Sequence, residues 1–122
     1  MELKRVVVTG IGVITPLGNS VEELFTNFEN GVSGSELITS FDTSKFKTKF
    51  ACQVKGFDPH DYLDKKEARK LDPYAQYAMG VAEKVIADSH IELDKVNLNR
   101  FGVVWGSGIG GLETFLREVV PY

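Results

Sequence analysis

Apolar residues form two short runs, and these runs predict the buried strands of the fold. Residues 5–11 are rich in valine and isoleucine, which is typical of a strand that is covered on both faces. Residues 101–105 have the same character. At residues 50–54 apolar and polar positions alternate instead, which predicts a short strand packed on one side only.

Around these strands, apolar residues recur three or four positions apart and predict helices. The clearest stretches are residues 20–30, 72–88 and 112–119. Ser20 and Glu23 have the spacing of a capping box, and Asp72-Pro73 places proline at the first helical position. Shorter capped turns are predicted at Asp58-Pro59 and after Asp64. The order of strands and helices predicts an α/β fold with a parallel sheet.

Length and composition are those of one small globular domain. The chain has 122 residues, of which 43% are hydrophobic, and a net charge of −3. Since a nucleic-acid partner requires a basic surface, this charge argues against one. No apolar run has the length of a membrane span, and the N-terminus lacks a signal peptide, so we expect a cytoplasmic location. Cys52 is the single cysteine, which leaves no disulfide framework.

Gly10 lies near the end of the first apolar run, and Gly12 and Gly18 follow it; together these glycines invite comparison with a dinucleotide-binding turn. Such a site needs the pattern G-x-G-x-x-G and an acidic residue at the end of the next strand, about 20 residues on. Here Thr15 takes the place of the third glycine, and no apolar strand follows within that distance. The glycines are therefore better explained by close packing, and no cofactor is expected.

Two patterns resemble nucleophilic sites, but the residues around them do not fit such a site. The Gly106-Ser107-Gly108 turn lacks the first glycine of a G-x-S-x-G elbow, because Trp105 occupies that position. Cys52 lies in the alternating strand, where a thiol behaves as a small hydrophobic group. Neither His60 nor His90 has a spacing to it that fits a metal site. Neither a catalytic residue nor a metal site is therefore expected in this chain.

Lys66, Arg69 and Lys70 are spaced three and four residues apart, so a helix places them on one face. With Lys65 they form the densest basic cluster of an otherwise acidic chain. Two interpretations stay open on the residues alone. The cluster is either a solvated surface with Glu67 as its local partner, or a binding face for an acidic protein, which electrostatic steering would favour.

Five segments occur in a distinctive order and spacing along the chain. They are Arg5 to Gly12, Pro16 to Asn19, Phe41 to Ser44, Arg69 to Asp72 and Gly106 to Leu112. Together they resemble the N-terminal part of the β-ketoacyl-[acyl-carrier-protein] synthases, and specifically their type II branch. The resemblance implies an α/β, thiolase-like fold, of which residues 1–122 would be the N-terminal part of the first half of the duplicated layered architecture.

The resemblance implies fatty acid elongation by decarboxylative Claisen condensation. An acyl group is loaded onto a cysteine, malonyl-acyl carrier protein loses carbon dioxide, and the resulting carbanion attacks the thioester. The family's cysteine nucleophile and two histidines lie beyond the position that matches Tyr122, and Cys52 does not align with the nucleophile. The parent protein is expected to be a homodimer. This chain alone is expected to be inactive and not to fold cooperatively.

The resemblance also assigns two binding sites to this chain. Lys66, Arg69 and Lys70 match positions that contact the acyl carrier protein. Ile109 matches the residue that gates the deep end of the acyl pocket, and Leu112 lies beside it. The alternative function is a non-catalytic module that binds the carrier protein through the same basic face.

Overall fold

The computed structural model describes residues 3–120, which separate into two units. The inserted unit consists of residues 13–57, and the helical unit consists of residues 3–12 together with residues 58–120. The helices are α1 (Val21–Glu29), α2 (Lys65–Ala68), α3 (Pro73–Ser89) and α4 (Leu112–Val119), and the strands are β1 (Ser35–Leu37) and β2 (Phe50–Cys52). Short 3-10 helices span Pro59–Asp61 and Leu98–Arg100.

The inserted unit begins with a tight turn, in which Thr15 and Gly18 exchange backbone hydrogen bonds of 3.0 and 3.2 Å. Helix α1 follows. Its predicted N-cap is confirmed, because the Ser20 hydroxyl accepts a hydrogen bond from the Glu23 N–H at 3.1 Å. The Glu23 carboxylate does not return to Ser20 as a capping box would require. It accepts instead from the Asn19 N–H, one residue earlier, at 2.8 Å.

The sheet of the inserted unit is an antiparallel pair of β1 and β2, with Glu36 opposite Ala51. The strand predicted at residues 50–54 is therefore real but shorter, and its partner β1 was not predicted. The expectation that its apolar side packs is wrong, since Phe50 and Cys52 are both exposed. A two-stranded ribbon has no further layer of its own to cover these side chains.

Helix α3 is the longest element of the described chain and organises the helical unit. It begins as predicted, with Asp72 as N-cap and Pro73 in the first turn. It ends at Ser89, one residue beyond the predicted end. His90 then closes the helix in the left-handed conformation, with a φ of 51°.

The glycine-rich segment after the first apolar run lies directly against α3. A Cβ atom at Gly10 would come within 2.7 Å of a carbonyl oxygen of α3, and one at Gly12 within 2.8 Å of another. The Ile11 N–H between them donates a hydrogen bond of 2.7 Å to the Asp88 carboxylate. These glycines therefore allow close packing on a helix, as predicted.

The strands predicted at residues 5–11 and 101–105 are absent. Both segments lie outside any helix or strand, and their apolar side chains are exposed, Val6 by 88% and Val104 by 99%. A strand requires ladder hydrogen bonds to a neighbour, and within residues 3–120 neither segment has such a neighbour. For the same reason the expected parallel sheet is wrong, because the sheet that the described residues form is antiparallel.

The small core of the helical unit surrounds α2. Leu63 and Ala68 are the buried hydrophobic residues of the described chain, exposed by 8% and 4%. The Gln76 side chain donates hydrogen bonds to the carbonyl oxygens of Ala68 at 2.8 Å and of Leu71 at 3.1 Å. These bonds join α3 to the end of α2 and satisfy carbonyl groups that a helix end leaves without partners.

Candidate functional site

The predicted basic face lies on α2 and on the turn that follows it. The Asp64 carboxylate caps this helix by accepting hydrogen bonds of 2.8 Å from the N–H groups of Lys66 and Glu67. Lys66, Arg69 and Lys70 are all exposed, and none of them forms an ion pair with another residue of the described range. The cationic groups of these three residues are therefore accessible to a partner.

The cations of the basic face do not all border the same depression. Lys70 lines a cleft together with Glu67 and apolar residues, whereas Arg69 lines a separate depression of about 350 Å³. Arg117 of α4 lines this second depression as well. Glu113 lines the same depression, and Arg117 forms an ion pair with Glu118 at 3.3 Å, so the charges around this depression are mixed. Sequence reasoning missed Arg117, because it belongs to a different helix far along the chain.

The predicted pocket residues lie where the glycine-rich loop, residues 106–111, meets α4. Ile109 is 80% exposed, and Leu112, the first residue of α4, is 53% exposed. The described chain leaves both apolar side chains open to solvent. Any pocket that they line must therefore be completed by other groups.

The end of the glycine-rich loop is shaped by two glycines. A Cβ atom at Gly110 would lie 3.0 Å from the Tyr74 ring, so the loop backbone rests directly on that ring. Gly111 is the N-cap of α4 with a φ of +74°, a conformation that favours glycine. Gly111 therefore marks the point at which the loop enters α4.

Asp72 connects the start of α3 to the start of α4. One of its carboxylate oxygens accepts a hydrogen bond from the Tyr74 N–H at 3.5 Å. The other accepts from both the N–H and the hydroxyl of Thr114, at 3.0 and 2.8 Å. The Thr114 N–H is the main reason that the pKa of Asp72 lies below its usual value, and desolvation opposes this shift. The sequence predicts the cap on α3 but not the contact with Thr114.

The segment Phe41 to Ser44 forms a local turn. The Asp42 carboxylate accepts hydrogen bonds of 2.9 Å from both the N–H and the hydroxyl of Ser44. The Ser44 N–H, followed by its hydroxyl, lowers the pKa of Asp42. The rings of Phe41 and Phe46 meet edge to face, with centroids 5.6 Å apart. These contacts give this segment a structural role.

Cys52, His60 and His90 lie in different local surroundings. Cys52 is exposed on β2 of the inserted unit, whereas both histidines belong to the helical unit. His90 is used locally, since its Nδ1 lies 2.7 Å from the Ala87 carbonyl oxygen at the end of α3. Within residues 3–120, no three histidine, cysteine or acidic side chains lie together as metal ligands would.

A family profile described as "Beta-ketoacyl synthase, N-terminal domain" matches residues 3–119. The match includes the basic face, the glycine-rich loop and all of α4. The chain belongs to the β-ketoacyl synthase family. The resemblance inferred from five segments is therefore confirmed.

Curated members of the β-ketoacyl synthase family are closely similar to this chain. The 3-oxoacyl-[acyl-carrier-protein] synthase 2 of Vibrio cholerae is 47% identical over 113 residues, which are 93% of this chain and 27% of that protein. The proteins of the same name from Staphylococcus aureus (strain COL) and Coxiella burnetii are 42% and 46% identical, each over 92% of this chain. The chain spans 27% of the length of these relatives. Their names give no support to a non-catalytic module.

A solved structure gives the same family relationship at the level of the fold. The chain is similar to the ishigamide ketosynthase/chain length factor, with a TM-score of 0.66 and 33% identity over 74% of this chain and 22% of that one. This β-ketoacyl synthase chain therefore has a thiolase-like fold. None of the helices within residues 3–120 combines the length and the apolar character that crossing a membrane requires.

Proposed function

We propose that this chain is the N-terminal part of a 3-oxoacyl-[acyl-carrier-protein] synthase that elongates acyl chains in fatty acid biosynthesis. The reaction is a decarboxylative Claisen condensation of an acyl thioester with malonyl-acyl carrier protein. The observation that carries the proposal is the 47% identity to the Vibrio cholerae relative over 93% of this chain. The proposal includes a homodimeric, cytoplasmic enzyme and assigns residues 1–122 to the first half of the duplicated fold.

In this reaction the residues of the present chain bind and position substrates. The condensation needs a thiolate nucleophile and donors that stabilise the developing negative charge. We assign these groups, a cysteine and two histidines, to parts of the protein beyond those that match this chain. The exposed Cys52 has no catalytic role in the proposal.

We assign binding of the acyl carrier protein to Lys66, Arg69 and Lys70. Their exposure and their lack of ion pairs to other described residues support this assignment. Exposed cationic side chains accelerate the association with an acidic partner, and they orient that partner as it binds. The binding energy then comes from charge-assisted hydrogen bonds to carboxylates of the carrier protein.

We assign the end of the acyl pocket to Ile109 and Leu112. Their side chains are exposed by 80% and 53%, so each has apolar surface that an acyl chain can cover. Covering that surface removes it from water, which favours binding of the acyl chain. The position of Ile109 on a glycine-rich loop gives its side chain little competing contact.

The proposal is tested by charge reversal in the full-length protein. We expect the double variant Arg69→Glu and Lys70→Glu to weaken binding of the acyl carrier protein by at least about tenfold, since two attractive charges become repulsive. Isothermal titration calorimetry at two salt concentrations measures the affinity. The loss should shrink at high salt, because screening weakens both attraction and repulsion.

Lys47→Glu is the matched control, because Lys47 is an exposed lysine of the inserted unit that lies outside the basic face. It is expected to leave the affinity unchanged. An unchanged affinity in the double variant would contradict the carrier-binding assignment. Failure of the wild-type protein to release carbon dioxide from malonyl-acyl carrier protein in the presence of an acyl thioester would contradict the condensation itself.

A further inference from the structure

We propose that Asp72 is a positioning residue for acyl-chain specificity, acting through Thr114 on the glycine-rich loop that carries Ile109. The inference rests on the proposed function, because it takes Ile109 to border the acyl chain. Asp72 would then do more than cap α3. It would fix the part of the loop from which Ile109 projects.

The first argument is that α4 lacks a side-chain cap of its own. Its N-cap is Gly111, which has no side chain and makes no such hydrogen bond. The first N–H groups of a helix have no partners within the helix, and they need acceptors from elsewhere. Asp72 supplies one, since it accepts the N–H and the hydroxyl of Thr114 at 3.0 and 2.8 Å.

The second argument is that the same turn of α3 holds the loop at a second point. The Tyr74 ring lies under Gly110, where an added Cβ atom would be 3.0 Å from the ring. Asp72 also accepts the Tyr74 N–H at 3.5 Å. One carboxylate therefore contacts both the backbone of the residue whose ring supports the loop and the helix that follows the loop.

The third argument is that the rest of the loop has little contact of its own. A Cβ atom at Gly106 or at Gly108 would meet nothing within 4 Å. The side chain of Ile109 is 80% exposed, so its own packing does not hold it in place. Among the described residues, the contacts at Thr114 and Tyr74 are therefore the ones that hold the loop that carries Ile109.

Two variants of the full-length enzyme test this. Asp72→Asn keeps an N-cap residue for α3 but replaces a charged acceptor with a neutral one, and hydrogen bonds to neutral acceptors are weaker. Thr114→Val removes the hydroxyl donor with little change in shape. Thr114→Ser restores the hydroxyl and serves as the rescue variant.

The first readout is the ratio of kcat/KM for hexadecanoyl and octanoyl thioesters of the carrier protein. We expect Asp72→Asn to move this ratio at least about threefold toward one, because a loosened loop discriminates less between acyl chains. Thr114→Val should shift it in the same direction, and Thr114→Ser should retain the wild-type ratio. If Asp72 had only a structural role, its substitution would lower kcat/KM for both thioesters together and leave their ratio unchanged.

The second readout is amide hydrogen exchange of residues 106–114. We expect it to be about tenfold faster in Asp72→Asn, since the local opening of this segment becomes easier. Asp58→Asn is the control. Asp58 also caps a short helical turn, accepting the His60 N–H at 2.8 Å, but it has no hydrogen bond to α4.

These readouts separate the two proposals. If the wild-type enzyme condenses both substrates and every variant keeps its ratio, the inference is wrong and the proposed function stands. If the wild-type enzyme does not condense at all, the proposed function fails, and the specificity role fails with it. Unchanged exchange in Asp72→Asn would overturn the loop-positioning role in either case.

Discussion

Single residues determine how closely the segment of residues 10–12 approaches α3. A Cβ atom at Gly12 would lie 2.8 Å from the Val81 carbonyl oxygen and 2.9 Å from Val85 Cγ2. The first of these atoms belongs to helix backbone, which cannot rotate away as a side chain can. A side chain at position 12 could be accommodated only if residues 10–12 moved away from α3. That movement would strain the hydrogen bond from Ile11 to Asp88.

We therefore expect Gly12→Ala to lower the free energy of unfolding of the full-length protein by about 1–3 kcal/mol, the usual cost of overpacking. Urea denaturation measures this quantity. Gly102→Ala is the matched control, because a Cβ atom there meets nothing within 4 Å. Its effect should stay within about 0.5 kcal/mol. Equal losses in the two variants would contradict the packing of this segment on α3.

At the scale of elements, helix starts could be predicted because their contacts are local. Ser20, Asp64 and Asp72 each accept an N–H from a residue two or three positions later. Those partners are visible in the sequence. Strands depend on a neighbour that the local pattern does not specify, so β1 was missed and the strand predicted at residues 5–11 was wrong.

The same distinction holds for the candidate site. The basic face could be predicted because its residues are close in sequence: Lys66 lies on α2, Arg69 is the C-cap of that helix, and Lys70 follows it. The contact of Asp72 with Thr114, and the depression that Arg69 and Arg117 both line, depend on how separate helices pack together. No pattern within a single segment of the sequence predicts how two separate helices pack together.

The cap of α1 provides a test at this scale. We expect Ser20→Ala to lower the free energy of unfolding by about 1 kcal/mol, since the Glu23 N–H loses its acceptor. Ser20→Asp should retain the stability, because aspartate is an equally good N-cap residue. Chemical denaturation of the full-length variants gives both values. A loss in the aspartate variant as large as in the alanine variant would show that the cap is not the source of the stability.

At the scale of the whole molecule, the described chain buries few of its apolar side chains. Leu63 and Ala68 are its buried hydrophobic residues, while Val6, Val103 and Phe115 are exposed by 88%, 82% and 58%. Hydrophobic burial is the main favourable contribution to folding, and it must offset the conformational entropy of the ordered chain. Residues 3–120 show too little burial for that.

We therefore expect the isolated 122-residue chain to unfold without a cooperative transition and to bind a dye that recognises exposed apolar surface. Circular dichroism during heating and dye fluorescence measure these properties, with the mass in solution checked by light scattering. The full-length protein is the control and should melt sharply. A sharp transition of a monomeric 122-residue chain would contradict the prediction.

The Tyr74 ring beneath Gly110 makes two neighbouring positions of the glycine-rich loop differ in how freely they can mutate. Because the backbone is held at Gly110, the neighbouring Ile109 side chain projects with 80% of its surface exposed. Exchanges at position 109 therefore cost little in folding, whereas a side chain at position 110 must displace the ring. In the proposed function, descendants of this protein can therefore change their chain-length preference by single mutations at position 109 and retain the contact between Gly110 and Tyr74.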